Sequence, residues 1–159
     1  MRLTMFRFVL FLCSVMIAAG CASEADKKAR QLFYQNSEFG FSIKFPANWQ
    51  TYRVFDSKEY LAADLRVRVF HVCLPTRSPA WQAGRVPSPY AVVFTIFVFN
   101  HDSWKIYSEK YAVAGAGDTI LGRSDKYVFI MRYPSGLPID LNQYMKEIAS
   151  VVLQFKLLQ

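Results

Sequence analysis

The chain has 159 residues, 53% of them hydrophobic, and it carries a formal net charge of +7. A chain of this length can form one domain with a substantial hydrophobic core, and no repeat or low-complexity tract divides it. The basic excess is mild, so charge alone identifies no partner and gives no support to nucleic-acid binding.

The first twenty residues have the composition of a secretory signal peptide. Arg2 and Arg7 form a positive leading region, and an apolar run extends from Phe8 to Ile17. This run is too short for a membrane-spanning helix, which takes about 20 apolar residues to cross a hydrocarbon core of about 30 Å. A cleaved signal, residues 1–20, is therefore favoured over a retained span. Its removal takes away both arginines and lowers the net charge from +7 to +5.

The end of this signal, Ala18-Ala-Gly-Cys21, resembles the lipobox of bacterial lipoproteins. The resemblance implies cleavage between Gly20 and Cys21, followed by attachment of fatty acyl chains such as palmitate to Cys21. Ala18 departs from the family pattern, in which leucine is most usual at that position. The alternative is an ordinary secretory signal that ends near a cysteine.

A lipid on Cys21 would anchor the protein in the cell envelope, outside the cytoplasm. Each buried methylene contributes about 0.8 kcal/mol, so two or more acyl chains anchor a protein stably. The resemblance also implies that Ala22, in place of aspartate, favours the periplasmic face of an outer membrane where the organism has one. Residues 21–32 form a polar leader, which from Cys21 to about Arg30 spans at most about 30 Å. The domain is therefore expected to stay close to the membrane. The basic residues of the leader suit either anionic headgroups or solvent: Lys27, Lys28 and Arg30.

One free thiol, Cys73, remains after cleavage and lipidation, because Cys13 leaves with the signal. The mature chain then cannot form an intrachain disulfide, although its compartment is oxidising. Packing, including that of the many aromatic side chains, must supply the stability. Cys73 is expected to be a small buried apolar residue.

Alternating apolar and polar residues predict the first strands of a domain that covers residues 33–159. The period of two is clearest in Phe39–Phe45, which Pro46 ends. A second strand is predicted at Trp49–Phe55. Asp56–Ala63 is polar enough for a turn or one short helix.

The middle of the chain contains a third predicted strand, a long loop and a nearly all-apolar strand. The segment Pro75–Pro89 contains four prolines, and loops of this length are uncommon unless they are mobile or functional. Tyr90–Phe99 is nearly all apolar, which predicts a central strand covered on both faces. The alternation in Leu65–Leu74 places five side chains on one face: Leu65, Val67, Val69, His71 and Cys73.

A helix and a hairpin are predicted next. The helix covers Trp104–Val113, with Ser103 or Asp102 as its N-cap. Asp118–Gly122 and Lys126–Tyr133 are predicted to pair as a hairpin.

The clearest helical periodicity follows Pro138. Asp140 is predicted to cap this helix, and Gln143 completes a pattern similar to a capping box. The apolar positions recur at helical spacing and predict a helix that lies across a sheet: Leu141, Tyr144, Met145, Ile148, Val151, Val152 and Phe155.

The order of these elements resembles the PsbP-like family. Gly40–Trp49 matches its opening, an alternating strand followed by Pro-x-x-Trp, and Lys126–Ile130 with a closing helix that runs into Phe155-Lys156 matches its end. The resemblance covers about residues 33–158. It implies a single α+β domain, a sandwich with one central antiparallel sheet flanked by helices. Members of the family include extrinsic photosystem II subunits, a Ran-binding nuclear import factor and bacterial lipoproteins. They share docking on larger assemblies, and no binding residue is transferred from them.

A catalytic constellation is not evident. His71 and Cys73 are about 7 Å apart on one face of a strand, so with His101 they could ligate a metal or supply a nucleophile and base. A buried pair in an apolar face is the simpler interpretation.

Gly115-Ala-Gly117 lacks the later residues of a phosphate-binding loop. No nucleophile elbow, zinc-protease motif or close carboxylate pair is present. The prediction is therefore a protein that is not an enzyme and has no cofactor.

Two segments are candidate interaction sites. The long loop contains Arg77, Trp81 and Arg85, residue types that are enriched at binding hot spots. Trp81 could equally pack back on the sheet as a lid. The second segment, Tyr133–Pro138, needs no function beyond joining a strand to a helix.

These observations predict a lipid-anchored envelope protein whose domain docks on an unidentified protein complex. The alternative is a metal- or small-molecule-binding protein, or a thiol or metal enzyme, that uses His71, Cys73 and His101.

Overall fold

The computed structural model describes residues 32–78, 86–111 and 117–158 of the chain. The predicted signal, the cleavage site at Gly20, the lipidation site at Cys21, and Trp81 and Arg85 of the long loop lie outside these ranges. Within the described ranges, no helix has the length and apolar content that crossing a membrane requires.

Two antiparallel sheets contain the strands of the described residues. The first consists of β1 (Phe33–Asn36), β2 (Phe41–Lys44) and β8 (Phe155–Leu157), with β2 in the centre. The second consists of β3 (Arg53–Ala62), β4 (Leu65–Pro75), β5 (Tyr90–Asn100), β6 (Asp118–Arg123) and β7 (Tyr127–Arg132). Its strand order is β3-β4-β5-β7-β6. The helices are α1 (His101–Lys110), α2 (Met145–Val152) and two 3-10 helices, Ala47–Trp49 and Ile139–Tyr144.

The five-stranded sheet is covered on both faces. Its central strand β5 is buried from Ala91 to Phe99, as expected for an apolar strand with neighbours above and below. On one face, Trp104 and Tyr107 of α1 pack against a cluster that includes Phe99. On the other face, the three-stranded sheet and α2 form the main core, whose largest fully buried side chain is Trp49.

The α+β class predicted from the sequence is confirmed, and the arrangement of the sheets differs from the prediction. The described residues form two sheets with two short α-helices, so one central sheet flanked by helices is not confirmed. The predicted strands at Phe39–Phe45, Leu65–Leu74 and Tyr90–Phe99 correspond to β2, β4 and β5. The predicted hairpin corresponds to β6 and β7, which pair directly.

The predicted turn or short helix at Asp56–Ala63 is wrong. Residues 56–62 belong to β3, which pairs with β4 along most of its length, with Asp56 opposite Phe70 and Lys58 opposite Arg68, and only Ala63 lies in a turn. Its polar side chains are compatible with a strand because β3 is at the edge of the sheet, where one face and one edge meet solvent. Trp49, predicted to begin a strand, ends a 3-10 helix instead.

The predicted helix at Trp104–Val113 begins three residues earlier, at His101. Its N-cap is Asn100, whose side-chain oxygen accepts a hydrogen bond from the backbone N–H of Ser103 at 2.7 Å. Ser103 and Asp102, the predicted caps, therefore lie in the first turn of the helix.

The single long helix predicted after Pro138 is wrong in its extent. The segment forms a 3-10 helix, then α2, and then β8, in which Phe155 pairs opposite Ile43 of β2. The chain leaves the helix because residues 155–157 complete the three-stranded sheet. Asp140 does not act as a cap, since its carboxylate accepts hydrogen bonds from Thr76 and Arg77.

Candidate partner-binding surface at the base of the long loop

The long loop that joins β4 to β5 has a fixed base on each side. The backbone N–H of Thr76 donates a hydrogen bond to the carbonyl oxygen of Pro89 at 2.7 Å, which joins the two ends of the loop. Val86 is 9% exposed and packs beside Cys73 in a small apolar cluster. The residues at the base are therefore held against the five-stranded sheet.

Asp140 ties the start of this loop to the 3-10 helix Ile139–Tyr144. The Thr76 hydroxyl donates to Asp140 Oδ1 at 2.9 Å, and the backbone N–H of Arg77 donates to Asp140 Oδ2 at 2.7 Å. Both hydrogen bonds lower the pKa of Asp140, because they stabilise its ionised form. The bond from the Arg77 N–H has the larger effect. The N–H of Ser78 donates in turn to the Thr76 hydroxyl at 3.0 Å. The backbone of residues 76–78 is thereby fixed.

Arg77 and Ile139 form what we call the loop-base surface. Both residues are exposed, and Ile139 is 89% exposed, more than any other large apolar side chain of the described residues. The Arg77 backbone N–H binds the carboxylate of Asp140, the residue that follows Ile139, which links the two segments that carry these residues. Leu137 and Leu141 on either side of Ile139 are buried in the main core, so the segment that presents Ile139 is firmly packed.

The sequence prediction included Arg77 in a binding site and missed Ile139. The available signal was the helical phase, because Ile139 does not fit the apolar spacing of Leu141, Tyr144 and Ile148. Trp81 and Arg85, the other candidates in the loop, lie outside the described residues.

His71 is buried and has polar neighbours at both ring nitrogens. Nδ1 lies 3.1 Å from the Thr95 hydroxyl, and Nε2 lies 2.6 Å from Oε1 of Glu59. His71 is 3% exposed. The imidazole is thus satisfied by the protein itself, and its two partners were not identified from the sequence.

Cys73 and His101 do not join His71 in a common site. The Cys73 thiol is fully buried, and burial raises its pKa to about 12, which disfavours the thiolate that a nucleophile or metal ligand needs. His101 Nε2 lies 2.9 Å from the carbonyl oxygen of Asp125. In the sheet, His71 is opposite Thr95 of β5. From Thr95 to Asn100, the residue before His101, β5 extends about 17 Å. Among the described residues, no three His, Cys, Asp or Glu side chains are grouped to hold a metal ion.

A second polar cluster connects α1 to the sheet. Arg132 donates from Nε to Asp118 Oδ1 at 2.7 Å and from Nη2 to Asp118 Oδ2 at 2.9 Å. Nη2 also donates to the Tyr107 hydroxyl at 2.7 Å, and that hydroxyl donates to Asp118. The guanidinium carbon lies 4.7 Å from the centre of the Phe97 ring. The guanidinium, the carboxylate and the phenol hydroxyl thus bind one another, which is typical of a structural ion pair.

Charge and burial act in opposite directions on this cluster. Burial alone would raise the pKa of Asp118, but the hydrogen bonds from Arg132 and Tyr107 and the guanidinium charge together lower it. The Asp118 carboxylate raises the pKa of Arg132 by hydrogen bonding and charge. Both groups are therefore charged at neutral pH.

Comparisons of the chain with models of protein families, with curated proteins and with solved structures find no match.

Proposed function

We propose that this chain is a bacterial lipoprotein, anchored in the envelope through Cys21, whose domain docks without catalysis on an envelope protein complex. The loop-base surface is the observation that supports docking. Arginine is enriched at binding hot spots, and burial of an exposed isoleucine contributes about 1.5–3 kcal/mol. Because Asp140 holds the backbone of Thr76 and Arg77, a partner would have to order the Arg77 side chain but not the chain that carries it.

The lipobox resemblance supports the anchor and its location. It places an acylated Cys21 outside the cytoplasm, with Ala22 favouring the periplasmic face of an outer membrane. The polar leader then keeps the domain near that membrane.

A PsbP-like relationship of residues 33–159 is part of the proposal. The opening and closing segments that carry the resemblance meet in the three-stranded sheet, where Ile43 is opposite Phe155. Trp49 of the Pro-x-x-Trp sequence is fully buried and donates from its indole N–H to Glu147 of α2 at 2.6 Å. The two ends of the resemblance are thus in one packed layer.

The alternative function has weaker support. A metal or thiol site made of His71, Cys73 and His101 requires three residues whose side chains face different partners, and one of them is a thiol with a pKa of about 12. The proposal accordingly assigns no catalytic residue and no cofactor.

The anchor is tested by expression of the full chain in a bacterium, beside Cys21→Ser. The intact mass of the purified protein should show acyl chains on the chain that begins at Cys21, and the protein should fractionate with membranes. Cys21→Ser should lack the acyl mass and leave the membrane fraction. An unacylated native chain would contradict the proposal.

Docking is tested by affinity capture of the acylated protein from membranes solubilised in mild detergent. The double variant Arg77→Ala/Ile139→Ser should lower the affinity for a stoichiometric partner by about 30-fold, a typical hot-spot loss. Less of that partner should then be recovered. Arg53→Ala/Leu153→Ser is the matched control, since both residues are exposed and Leu153 is 81% exposed. All variants should keep the melting temperature. Equal recovery with both double variants would refute the loop-base surface as the docking site.

A further inference from the structure

The three-stranded sheet has an inner face in the core and an outer face with exposed side chains. Directly opposite residues of antiparallel strands point to the same side of the sheet. Phe33 is opposite Lys44, Gln35 is opposite Ser42, and Ser42 is opposite Lys156. These five residues therefore share the outer face, since their chain neighbours Tyr34, Ile43 and Phe155 pack in the core.

This outer face combines positive charge with an exposed aromatic ring. Lys44 and Lys156 are exposed, and Phe33 is 44% exposed. Gln35 is also exposed, whereas Ser42, between Gln35 and Lys156, is buried. The strands β1, β2 and β8 contain two lysines and no carboxylate. Such a face attracts anions and can also insert an aromatic ring at an apolar boundary.

A groove of about 320 Å³ lies at one end of this face, between β2 and α2. The groove is lined by the polar residues Lys44, Ser150 and Gln154 and by the apolar residues Phe45, Pro46 and Val151. The Ser150 hydroxyl already donates to the carbonyl oxygen of Glu147 at 2.6 Å, so Lys44 and Gln154 supply the donors for a phosphate. A cation and an amide beside apolar surface match the chemistry of a phospholipid headgroup, in which a phosphate is joined to an acyl-bearing glycerol.

The leader joins the domain at this same end. The backbone N–H of Phe45, which lines the groove, donates to the carbonyl oxygen of Leu32 at 2.7 Å. Leu32 is eleven residues after Cys21, so the two are at most about 40 Å apart even in a fully extended chain. The outer face is therefore within reach of the membrane that would carry the anchor.

We infer that the outer face of the three-stranded sheet and the adjoining groove form a contact site for anionic phospholipid headgroups. The inference rests on the proposed lipid anchor, because the anchor brings this face to the membrane. Lys44 and Lys156 contact lipid phosphates, Phe33 enters the interfacial region, and α1, on the opposite side of the five-stranded sheet, faces away from the membrane.

The test uses the full acylated protein in phosphatidylcholine vesicles, with and without phosphatidylglycerol. An environment-sensitive fluorophore is attached at Gln35→Cys on the outer face or at Ser108→Cys on the exposed side of α1. Cys21 is acylated and Cys73 is buried, so the introduced thiol takes the label. The label at Gln35→Cys should shift its emission to the blue on phosphatidylglycerol vesicles, and the label at Ser108→Cys should not.

Removal of the charges should abolish most of this shift. Lys44→Gln/Lys156→Gln should lower the equilibrium constant for face contact by up to about 30-fold, since each lysine near an anionic leaflet is worth about a factor of five. Lys58→Gln/Lys105→Gln removes two exposed lysines elsewhere and should leave the shift unchanged.

The inference would be overturned by equal shifts at both labelled positions, by a shift that does not depend on phosphatidylglycerol, or by the same shift with inorganic phosphate in the absence of vesicles. The last outcome would identify the groove as a phosphate site instead of a membrane contact. Sedimentation with vesicles reports the anchor separately. A protein that sediments without a shift refutes the contact face alone, and a protein that does not sediment refutes the proposed anchor.

Discussion

The ion pair between Asp118 and Arg132 permits a quantitative prediction for Asp118→Asn. The wild-type carboxylate accepts two hydrogen bonds from the guanidinium and one from Tyr107. The asparagine keeps one carbonyl oxygen, so at most part of this arrangement survives. Its amide NH₂ would face Arg132 and Tyr107, and the negative charge that balances the guanidinium would be lost.

The expected cost follows from the burial of the pair. A hydrogen bond to a charged group contributes about 1.5–3 kcal/mol when it is buried, whereas exposed ion pairs contribute less than about 1 kcal/mol. The side chains of Asp118 and Arg132 are 18% and 33% exposed, so solvent screens the pair in part. We therefore expect Asp118→Asn to lower the free energy of unfolding by about 2 kcal/mol at neutral pH.

The pH dependence of this difference gives a second signature. Because the pKa of Asp118 is lowered in the folded state, its contribution is complete above the unfolded-state pKa of about 3.9 and disappears as pH falls through the lower folded-state pKa. Asparagine at position 118 does not titrate in this range, and the other carboxylates are common to both proteins. The difference between wild type and variant should be constant above about pH 5 and shrink below about pH 4.

Urea titrations over this pH range measure the difference. Asp125→Asn, an exposed carboxylate in the turn between β6 and β7, is the control and should change the free energy of unfolding by less than about 0.5 kcal/mol. A cost for Asp118→Asn no larger than that of the control at neutral pH would refute the reasoning. A difference that persists unchanged in acid would show that the charge is not its cause.

Three further substitutions or reactions test the interior. Glu147→Ala leaves the indole N–H of Trp49 without its acceptor. It should lower the free energy of unfolding by about 1–3 kcal/mol, measured by urea titration. Glu147→Gln keeps an acceptor and should recover most of that loss. Thr95→Val leaves Nδ1 of buried His71 without a partner and should cost about 1–3 kcal/mol, measured by thermal denaturation; an unchanged melting temperature would argue against the contact. Cys73 should react with a thiol reagent only after denaturation, because burial raises its pKa to about 12, and prompt reaction of the folded protein at neutral pH would contradict this.

The sequence predicts a strand where its two faces differ or where both are apolar. Leu65–Leu74 alternates because Arg66 and Arg68 lie on a different side from Leu65 and Val67, and it becomes β4. Tyr90–Phe99 lacks polar residues apart from Thr95, as a strand covered on both faces requires, and it becomes β5. In both cases the side-chain pattern reports burial directly.

The failures occur where partners distant in sequence decide the structure. β3 is polar in isolation and becomes a strand because it pairs with β4. The apolar spacing through Phe155 fits a helix and also fits β8, and pairing with β2, more than a hundred residues earlier, selects the strand. Asp140 has the sequence context of a cap, yet Thr76 and Arg77 occupy its carboxylate. Local periodicity contains none of this information.

Some features of the candidate site could be predicted from the sequence and others could not. Composition identified the long loop and Arg77, because hot-spot residue types are visible in a sequence. Ile139 is exposed between the buried residues Leu137 and Leu141, and the partners of His71, Glu59 and Thr95, come from two other strands. The helical phase contains a signal for the exposure of Ile139, whereas the partners of His71 require the tertiary structure.

A tether and a weak contact face reinforce each other in the proposed arrangement. Each lysine contributes about 1 kcal/mol near an anionic leaflet, and partial burial of Phe33 adds about 1 kcal/mol. A free domain would then bind with a dissociation constant of several millimolar, too weak to hold it at a membrane. A tether of the length from Cys21 to Leu32 gives the domain an effective concentration at the membrane that is similar to this dissociation constant. The contact therefore becomes substantially populated. The anchor would thus determine whether the protein is at the membrane, and Lys44 and Lys156 would determine its orientation there. Since an oriented domain presents Arg77 and Ile139 from a fixed direction, a partner in the same membrane would lose less rotational freedom on binding.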